Sequence, residues 1–168
     1  MKTLICDSDL RRENLCGECR KKLEQGKLSG LEVEVSRKLY KLNKKFFFLD
    51  LELKGVVELN DEIVVLLCTG KIGQIIGKGG RTIAELGKEL GKKCRVIEKG
   101  SDRKKMVQDL AGDAVRVIGI NKIFNMGNLE YAVVISKEDE RNLISSRESL
   151  EKGLEKILGS KTKIEFSG

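Results

Sequence analysis

The stretch Ile75-Ile76-Gly77-Lys78-Gly79-Gly80-Arg81-Thr82-Ile83 decides how this chain of 168 residues is interpreted. Its three glycines let the backbone come close to a ligand, because no Cβ stands in the way. Lys78 and Arg81 place two cations beside that backbone. A helix predicted to begin near Gly80 would point its free N–H groups and its positive dipole end at the same place. The stretch therefore indicates a phosphate-binding loop.

Two common phosphate-binding loops do not fit this sequence. The nucleoside-triphosphate loop requires a glycine five residues before its Gly-Lys pair and a Ser or Thr after it, where this chain has Ile72 and Gly79. The dinucleotide-binding fingerprint requires a third glycine where Thr82 stands. The pattern that does fit is G-x-x-G between two helices, preceded by two isoleucines.

Hydrophobic spacing around the loop predicts an α+β order of elements. Apolar residues recur at helical spacing in residues 32–43, and they alternate with polar residues at period two from Phe47 through Leu49 to Leu53. Asn60-Asp61 predicts the turn of a hairpin whose second strand covers residues 63–67. Beyond the short apolar segment 72–76 and the loop, a helix is predicted to end at Gly91, followed by a strand at residues 94–96.

The remaining residues repeat this order. Shifting the chain against itself by 68 positions places residues 63–67 on 131–135, Gly91 on Gly159, and Val96 on Ile164. One shift that aligns both apolar residues and helix-ending glycines favours a duplicated module over coincidence. We expect a cysteine-rich segment at residues 1–30, a first module at 31–100 and a second at 101–168.

The loop resembles that of the KH domains, in which a G-x-x-G loop clamps the backbone of about four nucleotides of single-stranded nucleic acid. Because a helix and a hairpin precede the loop, the module is similar to the type II KH topology, whose helices pack on a three-stranded mixed sheet. Two such modules in tandem resemble the paired KH domains of the transcription factor NusA and its small archaeal relatives. The resemblance covers residues 31–168, strongly in the first module and weakly in the second.

The resemblance implies a set of RNA-binding residues in the first module. The glycines would form the backbone clamp, the two cations beside them would meet phosphates, and isoleucines would line a groove for bases. The set is Ile72, Ile76, Gly77, Lys78, Gly79, Gly80, Arg81 and Ile83, with Arg95 at the groove edge on the following strand. The alternative is that the glycines form only a tight turn and the isoleucines only a core.

Charge assigns RNA binding to the first module. Residues 71–95 hold seven basic and two acidic residues, whereas the equivalent residues 139–163 hold six basic and five acidic ones. The same shift also places Ser145-Ser146-Arg147-Glu148 at the positions of the clamp. Side chains there would block close approach, and Glu148 would repel phosphate. We expect the second module to orient RNA or to extend the surface.

The cysteine-rich segment predicts a metal site. Cys16-Gly17-Glu18-Cys19 has the spacing of a zinc knuckle, and Cys6 with Asp9 stands upstream. The predicted ligands of a structural zinc ion are Cys6, Asp9, Cys16 and Cys19, with Glu13, Glu18 or a water as alternatives to Asp9. A metal-free turn and a redox-active cysteine pair are further alternatives. Cys68 and Cys94 fall on strand patterns and are expected in the core.

Composition limits the function classes. The chain has no histidine, which excludes catalytic triads with a histidine base, and its net charge of +7 favours an anionic partner. No apolar run approaches the roughly 20 residues that cross a bilayer, so we expect a cytoplasmic protein without a membrane partner or a small-molecule substrate. The expected function is non-catalytic binding of single-stranded RNA in transcription elongation or termination, with RNA polymerase as a partner. The alternatives are RNA processing or ribosome assembly on ribosomal precursor RNA, a protein-interaction scaffold, and an RNA enzyme with a metal at Asp61 and Glu62.

Overall fold

The computed structural model describes residues 1–168 and contains two compact units. The first unit comprises Met1–Val56 and Ile63–Glu98, and the second comprises Val57–Glu62 and Lys99–Gly168. Each contains a three-stranded sheet, so the fold is α+β with two such sheets, as expected. None of the helices combines the length and the apolar character that a membrane crossing requires.

The first sheet has the strand order β1-β2-β3, with β2 and β3 parallel. A tight connection joins β1 to β2, so these two strands are antiparallel. With one antiparallel and one parallel pair, the sheet is mixed. The elements up to residue 98 are α1 (Gly17–Glu24), α2 (Gly30–Phe46), β1 (Leu51–Leu59), β2 (Ile63–Gly70), α3 (Ile72–Ile76), α4 (Arg81–Leu90) and β3 (Lys93–Glu98).

Helix α2 begins at a complete capping box. The Ser29 side chain accepts a hydrogen bond from the Glu32 backbone N–H, and the Glu32 carboxylate accepts one from the Ser29 N–H. Both bonds satisfy N–H groups that a helix start leaves without a partner. The helix buries Val35 and Leu39 against β1, β2, α3 and α4, which together form the main core of the unit. The predicted helix over residues 32–43 is confirmed and is longer at both ends.

The predicted start of β1 is wrong. Phe47 ends α2 in the left-handed conformation with φ 52°, and it is 73% exposed; Leu49 is 63% exposed. Phe48 is buried instead, and its N–H donates to the Asn43 side chain at 2.7 Å. Phe47 and Asp50 both have positive φ, so residues 47–50 do not form an extended strand, and the predicted alternation holds only from Leu51. Strand β1 begins only at Leu51.

The cysteine-rich segment packs on the first unit through a small core of its own. Ile5, Leu10, Cys19 and Leu28 are buried together with Val33 of α2. At the start of the chain, Lys2 forms an isolated parallel bridge with Glu52 beside β1. A segment too short to form an independent core is therefore stabilised by α2.

The second unit repeats the helix-strand-strand-helix-strand order with one change. Its sheet has the order β4-β5-β6, with β4 and β5 antiparallel and β5 and β6 parallel. A 3-10 segment, Lys137–Asn142, stands where the first unit has α3. The elements are α5 (Arg103–Ala111), β4 (Val117–Asn125), β5 (Asn128–Ser136), α6 (Arg147–Leu158) and β6 (Thr162–Ser167).

Candidate nucleic-acid interface and metal centre

The glycine loop connects the short helix α3 to α4, and its three glycines all have positive φ. Gly77 has φ 74° and ψ 171°, Gly79 has φ 61°, and Gly80 has φ 75°. Residues other than glycine rarely adopt such conformations. The Gly80 N–H donates to the Gly77 carbonyl at 3.1 Å, and no side chain caps α4. The loop is therefore a tight turn that leaves the helix start uncovered by side chains.

The glycines serve two different purposes. A Cβ on Gly77 would lie 2.2 Å from the Thr82 hydroxyl oxygen and 2.9 Å from the Thr82 backbone nitrogen. Thr82 is buried, so Gly77 is required for packing. A Cβ on Gly79 or Gly80 would meet nothing within 4 Å. These two residues therefore expose backbone to open space, where a ligand has room to approach.

The structure brings most of the predicted RNA-binding residues to α3, the loop and the start of α4. Lys78 and Arg81 are exposed, and Ile76 is 37% exposed. Ile72 and Ile83 are half-buried and pack against the core, so each presents only part of its side chain. The loop thus has two solvent-exposed cations next to accessible backbone and an exposed isoleucine.

Arg95 lies apart from this set. It is half-buried on β3, opposite Val65 of β2. Its neighbours Cys94 and Val96 pack against the core beneath the helices. Since side chains alternate along a strand, Arg95 points to the other face of the sheet. Its role at the groove edge stays a prediction.

The second unit has a closed helix start at the equivalent position. Helix α6 begins at Arg147, two residues before the position that corresponds to the start of α4. The Ser146 side chain caps it by accepting from the Ser149 N–H at 3.3 Å, and its hydroxyl also bonds the Asn60 side chain. Arg147 and Glu148 are already helical where the first unit has Gly79 and Gly80. The second unit therefore has no open glycine loop.

The four predicted metal ligands come together. Their donor atoms lie within 4.8 Å of one another. The Cys6 sulfur is 3.5 Å from that of Cys16 and 3.6 Å from that of Cys19. Cys16 is the N-cap of α1, and its sulfur accepts from the Cys19 N–H, so the start of the helix fixes two of the ligands. These four residues are close enough to hold a metal ion.

Asp9 is the deciding member of this cluster. It is only 1% exposed, its Oδ1 accepts from the Cys16 N–H at 3.0 Å, and its Oδ2 is buried without a hydrogen-bond partner. Burial opposes ionisation of Asp9, but the polar groups of Cys19, Cys6 and Cys16 that surround the carboxylate outweigh it and hold the pKa of Asp9 below its usual range. A buried carboxylate oxygen without a partner fits a metal ligand. Glu13 and Glu18 lie outside the cluster.

The thiols differ in their environments. Burial raises the pKa of Cys19 to about 12, whereas the Ser8 hydroxyl lowers the pKa of the exposed Cys6. Cys68 is fully buried on β2, and burial raises its pKa to about 12 and that of the half-buried Cys94 to about 11. Cys68 and Cys94 pack in or against the main core, as expected.

The comparisons with known proteins agree with this geometry. A family model described as "KH domain" matches residues 35–124, more than half of the chain. The chain belongs to the KH domain family. The match runs from α2 through the GxxG loop to β4, so it contains the whole predicted clamp. KH domains bind RNA, which supports nucleic-acid binding by this chain.

A solved structure titled "Crystal structure of APE1850" is similar to this KH protein. It is 22% identical, has a TM-score of 0.56, and the alignment covers 78% of this chain and 96% of that chain. The likeness extends the fold assignment beyond the residues that the family model matches. No curated protein matches the chain.

Sequence reasoning missed a second group of cations in the first unit. Arg11 and Arg12 of the cysteine segment lie beside Arg37 and Lys41 of α2 around one cleft. The sequence feature that could have revealed this group is the spacing of Arg37 and Lys41, which are four residues apart and therefore on one face of a helix.

Proposed function

We propose that this protein is a non-catalytic, cytoplasmic protein that binds single-stranded RNA through the GxxG loop of its first unit. The observation that carries the proposal is the open backbone at Gly79 and Gly80, where a Cβ would meet nothing within 4 Å, between the exposed cations Lys78 and Arg81. Backbone N–H groups and two cations at an uncovered helix start suit a chain of phosphates. The low content of aromatic residues, 4%, favours backbone gripping over base stacking.

Both units are tandem type II KH modules in this proposal, and the second is degenerate. Its helix start is capped by Ser146, so it offers no room for a phosphate, and Glu148 adds a negative charge. The second module then orients the RNA or serves as a protein-docking surface.

Replacing Lys78 and Gly79 by aspartate tests RNA binding directly. The double variant Lys78→Asp/Gly79→Asp should abolish binding of a single-stranded RNA, measured by fluorescence anisotropy, while urea denaturation shows a folded protein. The matched control is Ser146→Asp/Arg147→Asp, which stands at the equivalent positions of the second unit and changes the charge by the same amount. Equal affinity of both variants and the parent protein would refute the proposal.

We further propose that the metal is a structural zinc ion. A tetrahedral site with a zinc–sulfur distance of about 2.3 Å places sulfurs about 3.8 Å apart. The sulfur separations of 3.5 and 3.6 Å fit this edge and are far longer than a disulfide bond of about 2.05 Å. Asp9 Oδ2 supplies the fourth ligand. The ion would brace the segment that leads into α2.

We assign the protein to transcription elongation or termination, as a NusA-like factor. The support is the tandem arrangement together with an intact first clamp and a lost second one. RNA processing or ribosome assembly is the second candidate, because nothing in the loop is specific for RNA polymerase. Crosslinking in cells distinguishes them: recovery of RNA polymerase with nascent transcripts supports the first, and recovery of precursor ribosomal RNA supports the second. Absence of RNA from the crosslinked protein would support a scaffold.

A further inference from the structure

A second basic surface of the first unit lies where the cysteine segment meets α2. Residues 10–13 and one face of α2 border an open cleft of about 420 Å³, which we call the α2 cleft. Its charged lining comprises five cations and two carboxylates: Arg11, Arg12, Arg37, Lys38 and Lys41, with Glu13 and Glu34. The cleft therefore has an excess of positive charge.

Neutral groups hold two of these cations in place. Arg37 donates from Nε to the Asp9 carbonyl at 3.1 Å and from a terminal nitrogen to the Glu13 carbonyl at 2.8 Å. Arg11 donates to the Tyr40 hydroxyl at 2.8 Å and lies over its ring. Carbonyl and phenol oxygens do not neutralise a guanidinium, so the positive charge of both arginines remains available. Ordering them before binding also lowers the entropy cost of binding.

The remaining cations differ in how far they are neutralised. Lys38 forms an ion pair with Glu89 at 3.0 Å. Lys41 lies near enough to Glu89 to interact with its charge, but Glu89 forms its ion pair with Lys38. Arg12 is exposed and takes part in no ion pair. The Arg12 guanidinium matches the geometry of phosphate oxygens, and the Lys41 ammonium adds a compact positive charge, so both side chains are suited to contact an anionic strand at the open side of the cleft.

The α2 cleft lies towards the opposite end of α4 from the GxxG clamp. Lys45 pairs with Glu85 and Lys38 with Glu89, so α2 runs antiparallel to α4. The cleft is therefore at the far end of α4, and the eight residue steps from Arg81 to Glu89 span about 12 Å. The loop clamps about four nucleotides at the other end of this helix. A longer strand leaving the loop along α4 would come to the cleft.

We propose that the α2 cleft binds phosphate groups of the same RNA strand, several nucleotides beyond the GxxG loop. This inference rests on the proposed RNA binding. It gives the cysteine segment a role in binding, because residues 10–13 of that segment form one wall. A flexible anionic backbone suits an open cleft with cations spread along both walls, because each contact needs only a charge and not a fixed shape.

The test compares short and long RNA. Fluorescence anisotropy is measured for the full chain with single-stranded RNA of about 4 and about 16 nucleotides, since the clamp covers about four. The cleft variant is Arg12→Gln/Lys41→Gln. The control is Lys21→Gln/Lys27→Gln, which removes two exposed charges from the cysteine segment outside the cleft. Equal urea midpoints and equal bound zinc show that the variants are folded.

The cleft variant should lose affinity for long RNA only. Removing two phosphate contacts lowers the salt slope by about 1.4 and the affinity about 25-fold at roughly 0.1 M salt. The affinity of the cleft variant for short RNA should change less than about twofold, and so should the affinity of the control variant for either RNA. Equal losses for the cleft and control variants, or no loss for long RNA, would overturn the inference. So would loss of binding to an acidic peptide with RNA binding unchanged.

The two proposals fail in distinguishable ways. If the parent chain binds neither RNA, the proposed function itself is wrong. If the parent binds both, and Lys78→Asp/Gly79→Asp abolishes both while Arg12→Gln/Lys41→Gln changes neither, RNA binding stands and only the α2 cleft is wrong.

Discussion

Alanine at Gly77 and at Gly79 should separate the fold from RNA binding. At Gly77 the added Cβ would lie 2.2 Å from the Thr82 hydroxyl oxygen, in a backbone conformation with φ 74° and ψ 171°. That conformation costs a non-glycine residue about 1–3 kcal/mol, and overpacking against a buried neighbour costs about 1–3 kcal/mol more. Gly77→Ala should therefore lower the free energy of unfolding by about 2–6 kcal/mol.

Gly79→Ala should cost much less stability but should impair binding. With φ 61°, ψ 27° and nothing within 4 Å of its Cβ, the variant has only the left-handed penalty of about 1 kcal/mol. The new methyl group would stand where the phosphate backbone must approach, so RNA affinity should fall about tenfold or more, which is about 1.4 kcal/mol.

Gly91→Ala is the control for this comparison. Gly91 ends α4 with φ 66° and also has nothing within 4 Å, so its backbone penalty equals that of Gly79 at the opposite end of the helix. Urea denaturation gives the free energy of unfolding, and fluorescence anisotropy gives the RNA affinity. If Gly79→Ala binds RNA as tightly as Gly91→Ala, the loop is only a turn between helices and the reasoning is wrong.

Three further outcomes are expected. Mass spectrometry should find about one zinc ion per chain in protein purified without added zinc, and a zinc content near zero would contradict the site. The variant Asp9→Asn should lose its zinc to a chelator more easily than the parent protein does. In folded protein treated with a chelator near pH 8, an alkylating agent should label the exposed Cys6 but leave Cys68 and Cys94 unlabelled, because burial raises their pKa to about 12 and about 11; labelling of Cys68 as fast as after unfolding would refute its burial. Because the pKa of Cys68 is raised from 9.0 in the folded chain, its thiol stabilises the fold fully below that pH and progressively less up to about 12. The free energy of unfolding should fall over this alkaline range, and Cys68→Val should reduce the fall.

The sequence was most informative where backbone conformation restricts the residue type. The glycine loop and the helix ends at Gly91 and Gly159, both in the left-handed conformation, were predicted because few residues other than glycine adopt it. The cluster of Cys6, Asp9, Cys16 and Cys19 was predicted because metal ligands are specific residue types at short spacing. Each of these features depends on local chemistry within a few residues.

Features that depend on the precise position of a strand or helix start were not predictable. Partners in β2 and β3 are 30 residues apart, as in Val65 and Arg95, whereas partners in β5 and β6 are 31 apart, as in Val133 and Ile164. A single shift of 68 therefore cannot align both strands, and the match of Val96 with Ile164 does not hold together with that of Val65 with Val133. Residues 63–67 are apolar at every position, so the sequence does not reveal a slip of one residue, although such a slip exchanges the two faces of the strand. The early start of α6 and the cations of the α2 cleft likewise depend on tertiary contacts.

Asp9 connects the metal centre to the proposed RNA surface. Its side chain accepts a hydrogen bond from the Cys16 N–H and has Oδ2 available for the proposed metal, while its backbone carbonyl accepts from Arg37 on the wall of the α2 cleft. A metal that fixes Asp9 also fixes the acceptor that orients this guanidinium, and with it the neighbouring Arg11 and Arg12. A disordered cysteine segment would leave the α2 side of the cleft with Arg37, Lys38 and Lys41 but without the opposite wall. The metal is then more than a brace for the fold, because it shapes one of the two surfaces that we propose for the RNA.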